Sequence, residues 1–369
     1  MRKYNLNITT KHGSYPVIIG KNILSNISVL LKKNNITFEK CLIVYDSNVP
    51  VKFLKILKKK LKNKKIYIFR VKSSEKVKNM SSINNIISFM LKEKFLRTDL
   101  IISFGGGIIS DISGFAASVY KRGINFVNIP TTLLSQVDAS IGGKTGVNSI
   151  HGKNLIGSFY QPMLVLSDIN FLNSLPIREL ICGYSEILKH SLIRNKKFFL
   201  FLNKNIKKLL SIDSKFIIRG VYESCRIKKK IVEKDPLEKN LRKILNYGHT
   251  FGHAFEANMG YSKKLNHGEA VLLGMYCANN FAYKKNIIKK KDFELINKHF
   301  SYLKISNKFN KIIKKKDIPR IVNYMKSDKK NFNNKINLIL LSKIGISKIK
   351  NSYKTNDIKY FLKNLLING

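Results

Sequence analysis

Leu100-Ile101-Ile102-Ser103-Phe104-Gly105-Gly106-Gly107-Ile108-Ile109-Ser110-Asp111-Ile112-Ser113-Gly114-Phe115 is the stretch that decides the fold. A short apolar run reads as a buried strand, three glycines end it, and the residues that follow carry helical spacing. Strand, tight turn and helix in that order form one βα step of a parallel sheet. Residues without Cβ let a phosphate approach the backbone closely, and a helix N-terminus offers N–H groups and the positive end of its dipole. The turn therefore reads as a nucleotide site.

Working outward, Cys41–Tyr45 ending at Asp46, Lys65–Phe69, Asn125–Ile129 ending at Pro130, and Leu164–Leu166 ending at Ser167-Asp168 repeat the pattern of short strands between helical stretches. Tyr4–Ile8 alternates like a further strand. Asp46 stands at a strand's carboxyl end, where an acid can bond ribose hydroxyls. After Pro176 the β-runs nearly vanish. Helical patterns cover Ile177–Ile193, Lys197–Leu210, Lys215–Glu233, Leu241–Asn258 and Gly268–Lys285, with a late strand over Ile336–Leu341 and a closing helix over Asn356–Leu366. The expectation is an α/β nucleotide-binding domain with a parallel sheet over residues 1–175, and a mostly α-helical metal- and substrate-binding domain over 176–369. The active site is expected in the cleft between them. The Asn/Lys-rich stretch Ser306–Asp317 reads as a solvated surface segment.

Lys and Arg outnumber Asp and Glu by 69 to 22, a formal charge of +47. The lysines are scattered in pairs and triplets such as Lys58-Lys59-Lys60 and Lys314-Lys315-Lys316, among abundant Asn and Ile and no Trp. A nucleic-acid footprint would cluster on one element, so this reads as drift toward A/T-rich codons on solvated faces, and no nucleic-acid partner is expected. Met1-Arg2-Lys3 leads into strand-like alternation rather than a signal peptide, and no apolar run reaches the length of a membrane span, so a cytoplasmic protein without a membrane partner is expected. Cys41, Cys182, Cys225 and Cys277 form no CxxC pair and read as buried thiols.

Pro130–Thr145 and Gly152–Gly157 are dense in hydroxyls and glycine and carry Lys144 and Lys153. Gly143-Lys144-Thr145 resembles a P-loop, but no glycine holds the motif's first position, so the segment reads instead as a phosphate-binding loop built on backbone N–H groups and lysine charges. Three of the seven histidines fall close together: His249 and His253, which with Glu256 share one helix face, and His267 opening the next helix. This is metal-ligand spacing, and Glu186, among apolar residues with Lys189 one turn later, is the best oxygen donor.

These segments together resemble the 3-dehydroquinate synthase family of the shikimate pathway. The resemblance rests on Phe104–Asp111, Tyr120-Lys121-Arg122-Gly123, Pro130–Thr145, Gly152–Pro162 and Asn246–Ala254, in the family's order from about Asp46 to Asp328-Lys329-Lys330. It implies an NAD- and zinc-dependent lyase, with cobalt as the alternative metal. The substrate implied is 3-deoxy-D-arabino-heptulosonate 7-phosphate, a small anionic sugar acid, converted to 3-dehydroquinate and phosphate in aromatic amino acid biosynthesis.

Residue by residue, the resemblance implies NAD held by Asp46, the segment Ser73, Ser74, Glu75, Lys76, Val77 and Lys78, the turn Gly106, Gly107, Ile108, Ile109, Ser110 and Asp111, and Thr131, Thr132, Lys144, Lys153, Phe171, Leu172, Asn173 and Ser174. It implies zinc on Glu186, His249 and His267, and moves His253 from metal ligand to proton transfer. Lys144, Asn154, Lys189, Lys228, Arg242, Asn246, His253 and Lys329 would meet the substrate, Arg122 would reach in from the other subunit of a homodimer, and Asp138 and Glu238 would contact hydroxyls or organise the metal surroundings. The chain departs from the family at Ser73-Ser74, Ser185 and Asp235–Glu238.

Overall fold

The computed structural model describes residues 3–11, 13–326, 335–349 and 352–368. Its backbone separates into two compact units. One comprises Met1–Gly183 and Lys207–Pro236, the other Tyr184–Ile206 and Leu237–Gly369.

The first unit is built on a seven-stranded sheet. Its strands are β1 (Tyr4–Thr10), β2 (Gly13–Gly20), β3 (Lys40–Asp46), β4 (Lys65–Val71), β5 (Leu100–Gly105), β6 (Asn125–Pro130) and β9 (Leu164–Asp168), in the order β1-β2-β9-β6-β5-β3-β4. All neighbours are parallel except the β1–β2 hairpin. Between β6 and β9 the chain makes a separate antiparallel hairpin, β7 (Lys144–Ser149) and β8 (Gly152–Phe159). The central strands are apolar on both sides because both faces of the sheet are covered. Cys41, Ile43 and Tyr45 of β3, with Leu100, Ile102 and Phe104 of β5, join one core with α1 (Ile27–Lys33) and α2 (Val51–Lys60). Leu42, Val44 and Ile101 point the other way, into a core shared with α3 (Met80–Lys92) and α4 (Gly107–Val119).

The helices that follow are α5 (Ile177–Arg194), α6 (Lys196–Leu210) and α7 (Ser214–Lys234). The sequence expectation cuts the chain once, at 175/176, and assigns α7 to the helical half. In the structure α7 belongs to the sheet unit. Its buried face, including Ile217, Val221 and Cys225, supplies cover that β1 and β2 lack. Tyr222 stacks on Tyr4 at 4.2 Å, and Glu233 accepts the Thr9 N–H at 2.8 Å. An amphipathic helix announces a buried face without naming its partner.

The second unit adds α8 (His249–Asn258), α9 (His267–Lys284), α10 (Lys290–Tyr302), α11 (Ile305–Ile312), α12 (Ile318–Lys326) and α13 (Thr355–Asn368), with short strands β10 (Lys335–Asn337), β11 (Leu340–Lys343), β12 (Ile346–Lys348) and β13 (Ser352–Lys354). Three expectations change here. The helix expected over Leu241–Asn258 is a 3-10 turn at Leu241–Asn246 and a separate α8, broken at Gly248, whose φ of 82° lies in the left-handed region. The late strand is two short ones, β10 and β11. The Ser306–Asp317 segment is not simply solvated: α11 buries Phe309 against Phe255 and Tyr276, with ring centroids 6.0 and 5.9 Å apart. No helix among the described residues is long and apolar enough to cross a membrane. All four cysteines are buried free thiols.

Candidate active site

The sheet unit carries the segments expected to bind the nucleotide. The β5–α4 turn is tight: a Cβ on Gly105 would sit 2.9 Å from the Asp46 Cβ, and one on Gly106 would sit 3.1 Å from Thr132 Cγ2. Glycine here lets the carboxyl ends of β3, β5 and β6 converge, and α4 then begins with its unpaired first-turn N–H groups beside that convergence. Asp46 is buried and accepts the Asn48 N–H at 3.0 Å. Thr131 donates its N–H to Gly105 O at 2.9 Å, and Thr132 and Ser135 share a hydroxyl hydrogen bond at 2.9 Å. Of the expected nucleotide contacts, Ile109, Phe171 and Leu172 are core side chains. Phe171 packs on Phe53 and Phe104, so these three residues can meet a ligand only through backbone atoms. Asn173 and Ser174 are exposed, as are Ser74, Glu75 and Lys76, while Ser73, Val77 and Ile108 are half-buried.

Lys78 is the buried centre of a polar cluster in this unit. Its ammonium lies 2.5 Å from the Asp111 carboxylate and contacts Asn154 Oδ1. Burial pushes the Asp111 carboxyl upward, and Lys78 opposes that shift. Lys153 stands 3.7 Å from Glu75 Oε1. Lys228 is buried and donates to both the carbonyl and the carboxylate of Asp138, each at 2.5 Å, so two expected substrate contacts hold one another. Lys144 is exposed. Arg122 is exposed with a φ of 64°, in a 3-10 turn beyond α4 rather than in the helix itself.

The helical unit carries the candidate metal centre. Glu186 and Lys189 lie one turn apart on α5 and form an ion pair, their side chains 1% and 2% exposed. The sequence suggests a half-buried pair; nearly complete burial makes each charge depend on its neighbours. Oε2 carries the contact with the Lys189 ammonium, whereas Oε1 is buried and accepts no hydrogen bond. His249 Nε2 stands 3.8 Å from Glu186 Oε1. Glu186, His249 and His267 each bring a ligand atom within 4.8 Å of the others.

Hydrogen bonds at Nδ1 orient the two imidazoles. His249 Nδ1 lies 3.4 Å from its neighbour Tyr247 O, which directs Nε2 toward Glu186. Burial first, then the charges of Lys189, His253 and His267, hold the His249 pKa well below the ordinary histidine value. His267 Nδ1 is 3.1 Å from Glu256 Oε2, an arrangement that frees Nε2 for a metal. Burial opposes protonation of His267, but the hydrogen bond and charge of Glu256 outweigh it and raise its pKa. An anionic oxygen without a hydrogen-bond donor, facing two imidazole nitrogens, fits a divalent N/O-liganded ion such as zinc.

His253 is exposed, its ring 5.2 Å from that of His249. Helical spacing pairs His253 with His249 as ligands, yet Glu186 comes from another helix and faces His249. His253 instead shares a second grouping with Glu256 and His267. Glu256, on the same face as both histidines, was visible in the sequence without a role. Arg242 is buried, and Asn246 donates to Glu238 Oε1 at 2.8 Å, which ties down a residue whose φ is 59°. Lys329 lies outside the described residues.

Three glycines, Gly248, Gly252 and Gly274, bring α8 and α9 into close contact. A Cβ on Gly274 of α9 would lie 1.9 Å from Gly248 O and 2.8 Å from Gly252 N. At the start of α9, Asn266 and Glu269 form a reciprocal capping box, each bond 2.9 Å, which fixes the helix end that presents His267.

Comparison with known proteins accounts for both halves. A family model described as 3-dehydroquinate synthase N-terminal matches residues 68–182, and one described as 3-dehydroquinate synthase C-terminal matches residues 183–331. A 3-dehydroquinate synthase of Pelagibacter ubique is 54% identical over 358 residues, covering 97% of each chain. That of Buchnera aphidicola subsp. Cinara cedri is 40% identical over 373 residues, covering 95% of each. Among solved structures, a 2-deoxy-scyllo-inosose synthase complexed with carbaglucose-6-phosphate, NAD+ and Co2+ superposes with a TM-score of 0.87 at 25% identity, covering 98% of this chain and 100% of that one. An iron-containing alcohol dehydrogenase shares the fold alone, with a TM-score of 0.67 at 14% identity over 98% and 99% of the two chains. With both halves matched in order by models of one family, and a relative more than half identical along nearly its whole length, the chain belongs to the 3-dehydroquinate synthase family.

Proposed function

We propose that the protein converts 3-deoxy-D-arabino-heptulosonate 7-phosphate to 3-dehydroquinate and phosphate, as a cytoplasmic, homodimeric lyase of aromatic amino acid biosynthesis. The observation that carries the reading is the cluster of buried Glu186 with half-buried His249 and His267 in a chain of this family. NAD held by this chain would supply reversible hydride acceptance, and zinc or cobalt held by Glu186, His249 and His267 would supply Lewis-acid polarisation of the substrate's oxygens.

The chain's own residues supply charge, position and proton movement. The segment Ser73–Lys78, the Gly106–Asp111 turn, Asp46, Thr131, Thr132 and the 171–174 turn hold the nucleotide, Phe171 and Leu172 through their backbone. Lys144, Asn154, Lys228, Arg242 and Asn246 receive the phosphate and carboxylate, with Lys153 serving the nucleotide. An anionic substrate suits these cations without any nucleic acid. His253, exposed and one turn from His249, moves protons through its imidazole. Arg122 projects from an exposed turn and serves the partner subunit's substrate. The sequence position of Lys329 suits a further phosphate contact.

The overall reaction releases phosphate with no net oxidation. Hydride removal and return cancel, so NAD is needed only in catalytic amount. The test is product formation by purified protein with NAD far below substrate. Many turnovers per NAD without NADH build-up are expected, and NADH accumulating in step with product would establish a net dehydrogenase instead.

A further inference from the structure

We propose that Asn148 is a positioning residue that locks the nucleotide-side carboxylate Glu75 to Asn154 at the start of β8, so that nucleotide and substrate groups of the sheet unit are set as one piece. The proposal rests on the assignment of Glu75 to NAD and Asn154 to substrate. Asn148 lies on β7, where the register with β8 slips between Val147 and Ser149. Its backbone N–H donates to Lys78 O at 2.8 Å, its Nδ2 donates to Glu75 Oε2 at 2.8 Å, and its Oδ1 accepts the Asn154 N–H at 3.0 Å.

The chemistry of the neighbours fixes the amide's orientation. A carboxylate can only accept and a backbone N–H can only donate, so the NH2 group must face Glu75 and the oxygen must face Asn154. The grip on Asn154 matters because its φ of 55° lies in the region that favours glycine. Held there, Asn154 turns its Oδ1 to the Lys78 ammonium, which also pairs with Asp111. A carboxamide combines a donor and an acceptor directed apart. Aspartate keeps the acceptor and loses the donor, and that difference separates the two arms.

The test measures NAD dissociation by calorimetry on the holoenzyme's metal-loaded form, alongside KM for the sugar phosphate. Asn148→Asp retains an acceptor for Asn154 but faces Glu75 with like charge. NAD affinity should fall about tenfold, while KM for the sugar phosphate stays within about twofold. Asn148→Ala removes both arms, and both quantities should worsen about five- to tenfold. Glu75→Gln combined with Asn148→Asp lets the new amide donate to the new carboxylate. The double variant should bind NAD about tenfold better than the product of the two single losses predicts. Losses that simply multiply, or a sugar-phosphate KM in Asn148→Asp as poor as in Asn148→Ala, would overturn the proposal. A wild-type protein that fails to bind NAD would instead overturn the functional assignment beneath it.

Discussion

Gly274→Ala adds one methyl group to α9 well beyond the proposed ligand His267 at its start, and it should abolish tight zinc binding. The new Cβ would sit 1.9 Å from Gly248 O, about 1.5 Å inside the about 3.4 Å at which ordinary contact begins. The opposing atom is backbone, so no rotamer change relieves the overlap, and α8 and α9 must separate by an amount on the order of 1 Å. Gly248 immediately precedes His249, and α9 begins with His267, so separation moves the two imidazoles apart. Metal coordination tolerates displacements of only about 0.2 Å, and a lost or misplaced ligand should weaken zinc by about a hundredfold or more. Overpacking should also cost about 1–3 kcal/mol of stability. The control is Gly260→Ala, where φ is 62° but an added Cβ meets nothing within 4 Å. It strains the backbone without touching the α8–α9 contact. Zinc competition against a chromophoric chelator, with circular dichroism to monitor folding, separates the two effects. A folded Gly274→Ala protein that binds zinc within about threefold of wild type would refute the coupling of helix packing to the metal cluster.

Other outcomes are as definite. His249→Ala and Glu186→Ala should lose bound zinc, whereas His253→Ala should keep it and lose most turnover; metal analysis of the three purified proteins decides, and a zinc-free His253→Ala protein would restore the paired-histidine reading. His299, held by Tyr184 at 2.9 Å and Asn203 at 3.0 Å, is pushed by burial down to about 4. Its folded pKa is depressed, so the unfolded chain binds the extra proton between about pH 6.5 and 4, and this stability is present above that window and lost as pH falls through it. Urea unfolding of wild type and His299→Gln should show their stability difference shifting against wild type by about 2 kcal/mol between pH 7.5 and 5; parallel pH profiles would refute it. Arg122→Ala and His249→Ala should each be nearly inactive, yet co-expressed in equal amounts should recover about a quarter of wild-type activity, because half the dimers are mixed and each mixed dimer has one intact site. Proven heterodimers without recovery would place Arg122 in its own subunit's site.

The sheet was legible because strands buried on both faces read as apolar runs, and β5 with its three glycines fixed the direction of the crossover. The histidine cluster was legible from its helical spacing. Choosing His249 over His253 was not, because the deciding atom, the Glu186 carboxylate, comes from a helix more than sixty residues away in sequence. Gly248 broke a helix whose apolar spacing ran straight through it, since the reason for the break is the close seat of α9 and lies outside the local pattern. Asn148 and Glu256 are ordinary polar residues until folding gives them partners.

Placing α7 in the sheet unit has a consequence for how the polypeptide is made. A chain emerging from the ribosome presents β1 and β2 first, yet the helix that covers them ends at Lys234. Until that point is synthesised, Tyr4 lacks Tyr222 and the underside of the hairpin is bare. The N-terminal unit therefore closes late, after all of α5 and α6 has already appeared, and the nascent chain carries exposed apolar surface through that interval. The residues of that hairpin are thus exposed to aggregation during synthesis as well as being answerable to the stability of the finished molecule.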